Sequence, residues 1–325
     1  MANDIAVATP SLWTSICCDD SITTAAHLDI WLRRARTQPL CISLHGDLSR
    51  DVAIAVRRHG YHLQILKLQS SYQLEQMDPT SFLSLTKLTV VNATVKNTHL
   101  PECLYIFYFT PALVECDFTS VSGDTLVSLW KPTPFAHLSL RCLQLGDAKS
   151  KNAALLLKYL TLPALEILHV SDSDQLMPNH LASLLTRSLP PLQLLHVQGL
   201  TGRFDDLDEP LRLVPTLTDL TLKFREGIDP VSALKQSVLT PHLGFLPNLR
   251  NVHIHANFSL NVNYDVVVSA LAARGAALRS FEVFSPFRKP DHHIIATLKE
   301  FAGDHGTHIY VGSRKHNYIP PNSRE

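Results

Sequence analysis

An α/β solenoid, in which parallel strands are returned one after another by helices, is the fold class that this sequence predicts. Three observations predict it. The pattern LxxLxL, with Val, Ile, Phe or Cys accepted at the later positions, recurs nine times, starting at Leu63, Leu85, Leu113, Leu140, Leu165, Leu192, Leu217, Leu249 and Leu278. Successive starts are 22, 28, 27, 25, 27, 25, 32 and 29 residues apart, on or near the leucine-rich-repeat period of roughly 20–29 residues. Finally, most of the segments between copies carry apolar residues at three-to-four spacing, which is the signature of a helix.

Each repeat begins with its strand. In LPALEILHV, the stretch 162–170, leucine-type residues at 165, 168 and 170 follow a proline, and TPAL, LPPL, VPTL and LPNL open other copies the same way. One repeat cannot bury its own apolar face, so the copies must stack into a continuous core. The predicted helices lie in SGDTLVSLW, NAALLLKYL, NHLASLLTRSL, DPVSALKQSVL, YDVVVSALAARG and DHHIIATLKEFAG, most of them after Ser, Asp or Asn, the residues that favour a helix start. The expected shape is a horseshoe with parallel strands on the concave face and helices on the convex face. Residues 45–312 are expected to form the solenoid, with 1–44 as an N-terminal cap and 313–325 as a polar, disordered tail.

Composition narrows the function. With 29 basic and 29 acidic residues the formal net charge is zero, so nothing draws the chain as a whole to nucleic acid or to an anionic membrane. The N-terminal NDIAVATPSLW lacks the basic start and apolar block of a signal peptide, and apolar runs such as AALLL are too short to span a bilayer. A cytoplasmic or nuclear location is therefore expected, with neither nucleic acid nor membrane as partner. Six cysteines fit that compartment as buried free thiols, Cys116 standing in for a repeat leucine and Cys17–Cys18 lacking CxxC spacing. The sequons at Asn92 and Asn257 carry no weight there.

No catalytic signature is found: GxSxG, GxxxxGK[ST], HExxH and GxGxxG are absent, and the acidic pairs Asp19–Asp20 and Asp205–Asp206 have no adjacent histidine. The expectation is a binding protein without enzymatic activity, cofactor or metal. Two other classes stay open, a leucine-rich GTPase-activating protein and a stand-alone binding module.

The N-terminal third adds a resemblance. ATPSLWTSI, residues 8–16, is followed by AAHLDIWLRRARTQPLCISL, residues 25–44, and then by the first repeat. This order resembles the F-box/leucine-rich-repeat proteins of mushroom-forming fungi, whose phrases TPxLWxxI and LxxWLxRSxxxPLxLxL are matched by Pro10, Leu12, Trp13 and Ile16, and by Leu28, Trp31, Leu32, Arg33, Pro39, Leu40, Ile42 and Leu44. The resemblance implies the substrate-recognition part of an SCF-type ubiquitin ligase, with residues 1–44 as a remnant of the F-box C-terminal region and an N-terminal cap helix and strand. Only nine residues precede Pro10, so Skp adaptor and cullin are expected as partners only if an upstream F-box exists. Trp13 and Trp31 are read as aromatic anchors closing the first end of the coil.

The binding face follows from the strand period of two. The second and third apolar residues of each repeat point inward, so the residue between them points to the opposite face. Down the nine copies that position is Lys67, Thr89, Asp117, Gln144, His169, His196, Thr221, His253 and Glu282, a polar and varied column suited to gripping a protein. A second column two residues on reads Gln69, Val91, Thr119, Gly146, Ser171, Gln198, Lys223, His255 and Phe284. His169, His196, His253 and His255 invite a metal reading, but the 253–255 pair lies two repeats from His196, roughly 10 Å away, too far to share an ion. The loops TGRFDDLDEP and REGIDP are expected to be simple connections.

Overall fold

The computed structural model describes residues 9–19, 24–46, 49–69, 82–91, 98–118, 121–122, 134–146, 153–171, 178–200, 208–224, 245–256, 264–274, 277–284, 289–313 and 316–319. They divide into two compact units, 1–164 and 165–325.

In the first unit a single-turn helix at Pro10–Trp13 leads into β1, Ser15–Asp19. Then come α1, Ala25–Ala35; β2, Leu40–His45; α2, Arg50–Arg58; β3, Leu63–Leu68; and β4, Lys87–Val90. Helix α3, Leu100–Phe109, strand β5, Glu115–Phe118, strand β6, Cys142–Leu145, and helix α4, Ala153–Tyr159, complete it. The six strands pair in chain order and all in parallel. Helix α1 starts where the Thr24 hydroxyl accepts the His27 backbone N–H, and it buries Leu28, Leu32 and Ala35, which recur every three to four residues on one face.

In the second unit β7, Ile167–Ser171, is followed by α5, Pro178–Ser188; β8, Leu194–Leu200; α6, Asp208–Arg212; β9, Asp219–Phe224; and β10, Asn251–Ala256. Helix α7, Tyr264–Arg274, strand β11, Ser280–Phe284, helix α8, His292–His305, strand β12, His308–Ser313, and the short β13, His316–Asn317, follow. Strands β7 to β12 are parallel neighbours in chain order, and β13 turns back antiparallel on β12.

The core has the layout read from the pattern. Every repeat-opening leucine, Leu63 through Leu278, is buried. The fourth position forms a register row Leu66, Leu88, Cys116, Leu143 in the first unit and Leu168, Leu195, Leu220, Val252, Phe281 in the second. All nine are buried, and each fully buried leucine-sized side chain contributes about 1.5–3 kcal/mol. The mixed α/β, repeat-built architecture is therefore present in both units.

Several expectations change. Within 1–44, β1 and β2 run in the parallel ladder, Ser15 opposite Cys41 through Asp19 opposite His45. Trp13 and Trp31 are half-buried, and the Arg34 guanidinium lies over the Trp13 ring at 4.7 Å. Of the adjacent cysteines only Cys18 is buried, while Cys17 is exposed, because neighbouring residues on a strand face opposite ways. The tail does not lose structure at 313. Ser313 ends β12, β13 pairs with it, and Ile319 is buried beneath the Asn317 side-chain bonds. The β12–β13 turn needs glycine at 312, since a Cβ there would lie 2.0 Å from the His316 carbonyl oxygen. Within TGRFDDLDEP, Asp208 to Pro210 open α6. The predicted helices in SGDTLVSLW (beyond Ser122) and DPVSALKQSVL, Thr119, the loop REGIDP and residues 320–325 lie outside the described residues.

Candidate functional site

On the sheet face opposite the leucine core, parallel register lines up the predicted column. In the first unit Cys17, Ser43, Lys67, Thr89, Asp117 and Gln144 are successive partners. In the second the row is His169, His196, Thr221, His253, Glu282 and Tyr310. All nine predicted residues are exposed or half-buried, and none is in the core. Cys17, Ser43 and Tyr310 extend the rows beyond the nine, on strands that lack a full LxxLxL. The second column also holds: Ser171, Gln198, Lys223, His255, Phe284 and Gly312 are register partners in the second unit.

A third row, two residues before the first, went unread in the sequence, although the same alternation applied one step earlier would have found it. It contains Lys87, Glu115 and Cys142 in one unit and Asp219, Asn251, Ser280 and His308 in the other.

The two faces differ in chemistry. In the first unit Lys87 and Glu115 form a well-exposed ion pair, which raises the lysine above its ordinary pKa and contributes little to stability. Burial pushes the Asp117 carboxyl up, partly offset by Lys87, and likewise raises the Cys142 thiol.

The second unit is rich in imidazole. The His169 and His196 rings lie 5.3 Å apart. Desolvation lowers both, His196 to about 4 with further depression by Lys223, His169, His255 and His253. His253 Nδ1 stands 2.9 Å from one Glu282 oxygen and His308 Nδ1 3.7 Å from the other. His255 stacks on Phe284 at 4.4 Å, and Phe284 meets Tyr310 at 4.8 Å, forming a shelf of rings across three strands.

Ser280, His308 and Glu282 resemble a nucleophile, base and orienting acid by residue type only. The Ser280 hydroxyl, at 3.4 Å, and the Glu282 carboxylate, at 3.7 Å, both approach Nδ1 of His308, whereas a relay needs them on opposite ring nitrogens. The arrangement suits hydrogen bonding to a ligand rather than proton transfer. Among the described residues no group of three His, Cys, Asp or Glu side chains is placed to hold a metal ion, and no helix is long and apolar enough to cross a membrane.

No family model matches the chain, and no curated protein matches it. Among solved structures it is similar to a chain of the crystal structure of the Rad7 and Elc1 complex in yeast, with 15% identity and a TM-score of 0.49 over 92% of this chain and 80% of that one. A similarity at that level assigns no function.

Proposed function

We propose that the chain is a leucine-rich-repeat horseshoe that holds a protein partner on the open face of its parallel strands, and that it serves as the substrate-recognition part of an SCF-type ubiquitin ligase. The observation that carries the binding reading is the register of the predicted column: its polar or charged side chains, one per repeat, stand in line on the face opposite the core, four in the first unit and five in the second. Such a face presents many side chains without disturbing the fold that supports them, and its chemical variety along the row provides specificity. The ligase reading rests on the N-terminal phrase from Pro10 to Leu44 and its resemblance to the fungal F-box/leucine-rich-repeat proteins.

Affinity purification of the full chain from its native cells tests both parts. Co-elution of a Skp adaptor and a cullin supports the ligase role, and their absence beside a stable protein partner favours a stand-alone binding module. The quadruple variant Asp117→Ala, Gln144→Ala, His169→Ala, His196→Ala should lose the partner while keeping its fold. Exposed helix residues Lys158 and Lys299 are the control; Arg187 is not, since its guanidinium bonds Ser183. A partner that tolerates the quadruple variant but is lost with Lys158→Ala, Lys299→Ala would place the binding surface on the helices.

A further inference from the structure

The face of strands β7 to β10 in the second unit gathers four imidazoles and a lysine on four neighbouring strands. His169 of β7 and His196 of β8 are adjacent in the first row, Thr221 of β9 follows, and His253 of β10 comes next. One step along the strands Gln198, Lys223 and His255 sit beside them. Parallel strands lie about 4.8 Å apart, so His196 and His253 flank Thr221 across roughly 10 Å. Thr221, half-buried between them, is the shortest side chain of that row. Lys223 Nζ reaches to 3.4 Å from the Gln198 amide oxygen, on the same side. The charges acting on His196 are all basic: Lys223, His169, His255 and His253.

The acids of this face are drawn to other partners. Asp219 accepts hydrogen bonds from the Asn251 amide and the Thr218 hydroxyl, each at 2.6 Å. Glu282 lies between His253 and His308. Lys223 supplies the permanent positive charge beside Thr221, the imidazoles add to it when they take up protons, and the two carboxylates are each already engaged by neighbouring side chains.

We propose that this patch takes an acidic segment of the protein partner, an extended run of Asp or Glu side chains laid across β7 to β10 with carboxylates seated over Thr221 and Lys223. The inference rests on the reading that the open sheet face binds protein, and it names the chemistry of what is bound. From His169 to His253 the patch covers three strand spacings, about 14 Å, the length of roughly four extended residues. A hydroxyl, a lysine ammonium and imidazole N–H groups are all donors, which an ionised carboxylate, bearing acceptors only, matches better than a neutral amide or an aliphatic surface. A carboxylate placed beside an imidazole favours its protonated form, so binding takes up protons and strengthens as pH falls. The titratable groups on this face are His169, His196, Asp219, Lys223, His253, His255, Glu282, His308 and Tyr310. Of these, Lys223 and the neighbouring imidazoles oppose protonation of His196, and Asp219 and Glu282 repel an incoming carboxylate.

The probe is a fluorescein-labelled peptide of about twelve residues alternating Glu and Ser, titrated with the full chain by anisotropy at about pH 6 and about pH 7.5, with a Lys–Ser peptide for comparison. The acidic peptide should bind, at least about twofold more tightly at the lower pH, and the triple variant His196→Ala, Lys223→Ala, His253→Ala should weaken it by at least about tenfold. Should the triple variant lose its fold by circular dichroism, Lys223→Glu replaces it and should shift preference toward the Lys–Ser peptide. Equal binding of both peptides, or an acidic peptide indifferent to these variants, overturns the proposal. If the acidic peptide fails while the native partner is still lost with the quadruple face variant, the acidic preference is wrong and the face reading stands. If the native partner tolerates the quadruple variant, the face reading itself is wrong.

Discussion

His253 and Glu282 face one another across neighbouring parallel strands, with Nδ1 of the imidazole 2.9 Å from Oε2 of the carboxylate. His308 approaches the other oxygen of the same carboxylate from the next strand, so Glu282 bridges β10 and β12 on the open face. An imidazole attracts a carboxylate as an ion only when protonated, and a half-exposed pair is partly screened by solvent. A double-mutant cycle of His253→Ala and Glu282→Ala should therefore give a coupling of about 0.5–1 kcal/mol near pH 5.5 and close to zero near pH 8. Equal coupling at both values would show that the contact is packing rather than charge.

Acid should weaken the fold itself. His137 is buried with its Nε2 3.0 Å from the Thr110 carbonyl oxygen, and desolvation lowers it, as it lowers His169 and His196. A histidine whose folded pKa lies below its unfolded value binds fewer protons when folded, so stability falls as pH drops. For His196 the window runs from about 6.5 down to about 4. Because its side chain is half-exposed, its share is on the order of 1 kcal/mol, well short of the full linkage value. Urea midpoints at about pH 7.5 and about pH 5 should show the loss, and His196→Gln should reduce it. A wild-type midpoint that does not move with pH would contradict this account.

Adjacent residues of β8 provide a test of the core that keeps sequence position nearly constant. Leu195 is buried between Leu168 and Leu220 in the register row, whereas His196 points to the open face. Leu195→Ala should cost about 2–5 kcal/mol through lost burial and the cavity it leaves, and Leu195→Asp should prevent folding by burying an unpaired charge. His196→Ala should stay within about 1 kcal/mol of wild type near pH 7.5, where the imidazole is neutral. Chemical denaturation of the three variants decides it.

The contrast between those neighbours also explains how much of the molecule was legible in its sequence. A solenoid repeats one short strand, so the direction of each side chain is written in the period-two alternation, and the copies confirm each other. That is why Leu63 to Leu278 could be assigned to the core and Lys67 to Glu282 to one face. Strand β1 was missed because SICCD carries the alternation on only Ile16 and Cys18, without an opening leucine. Helix α2 was missed because its buried stripe is made of Val52, Ala53, Ala55 and Val56, where small alanines give a weak apolar signal. The Glu282 bridge is not legible in the repeat because it joins the column of His253 and Glu282 to the neighbouring row of His308. Hairpin β12–β13 depends on the close backbone approach at Gly312, which no periodicity records.

Cysteine chemistry gives an independent measure of which strand face is open. Cys17 lies on the exposed face of β1, Cys41 and Cys142 are half-buried, and Cys18, Cys103 and Cys116 are in the core. Only a thiolate reacts with an alkylating agent, and burial both blocks access and disfavours that charged form. Cys116 meets both obstacles: it is fully enclosed in the fourth-position row, and desolvation holds its thiol well above the ordinary value. Brief treatment of the native chain with iodoacetamide, followed by peptide mass mapping, should modify Cys17 first, Cys41 and Cys142 more slowly, and Cys116 only after denaturant is added. Labelling of Cys18 ahead of Cys17 would mean that β1 pairs with β2 one residue out of register, because a shift of one residue exchanges the two faces of a strand.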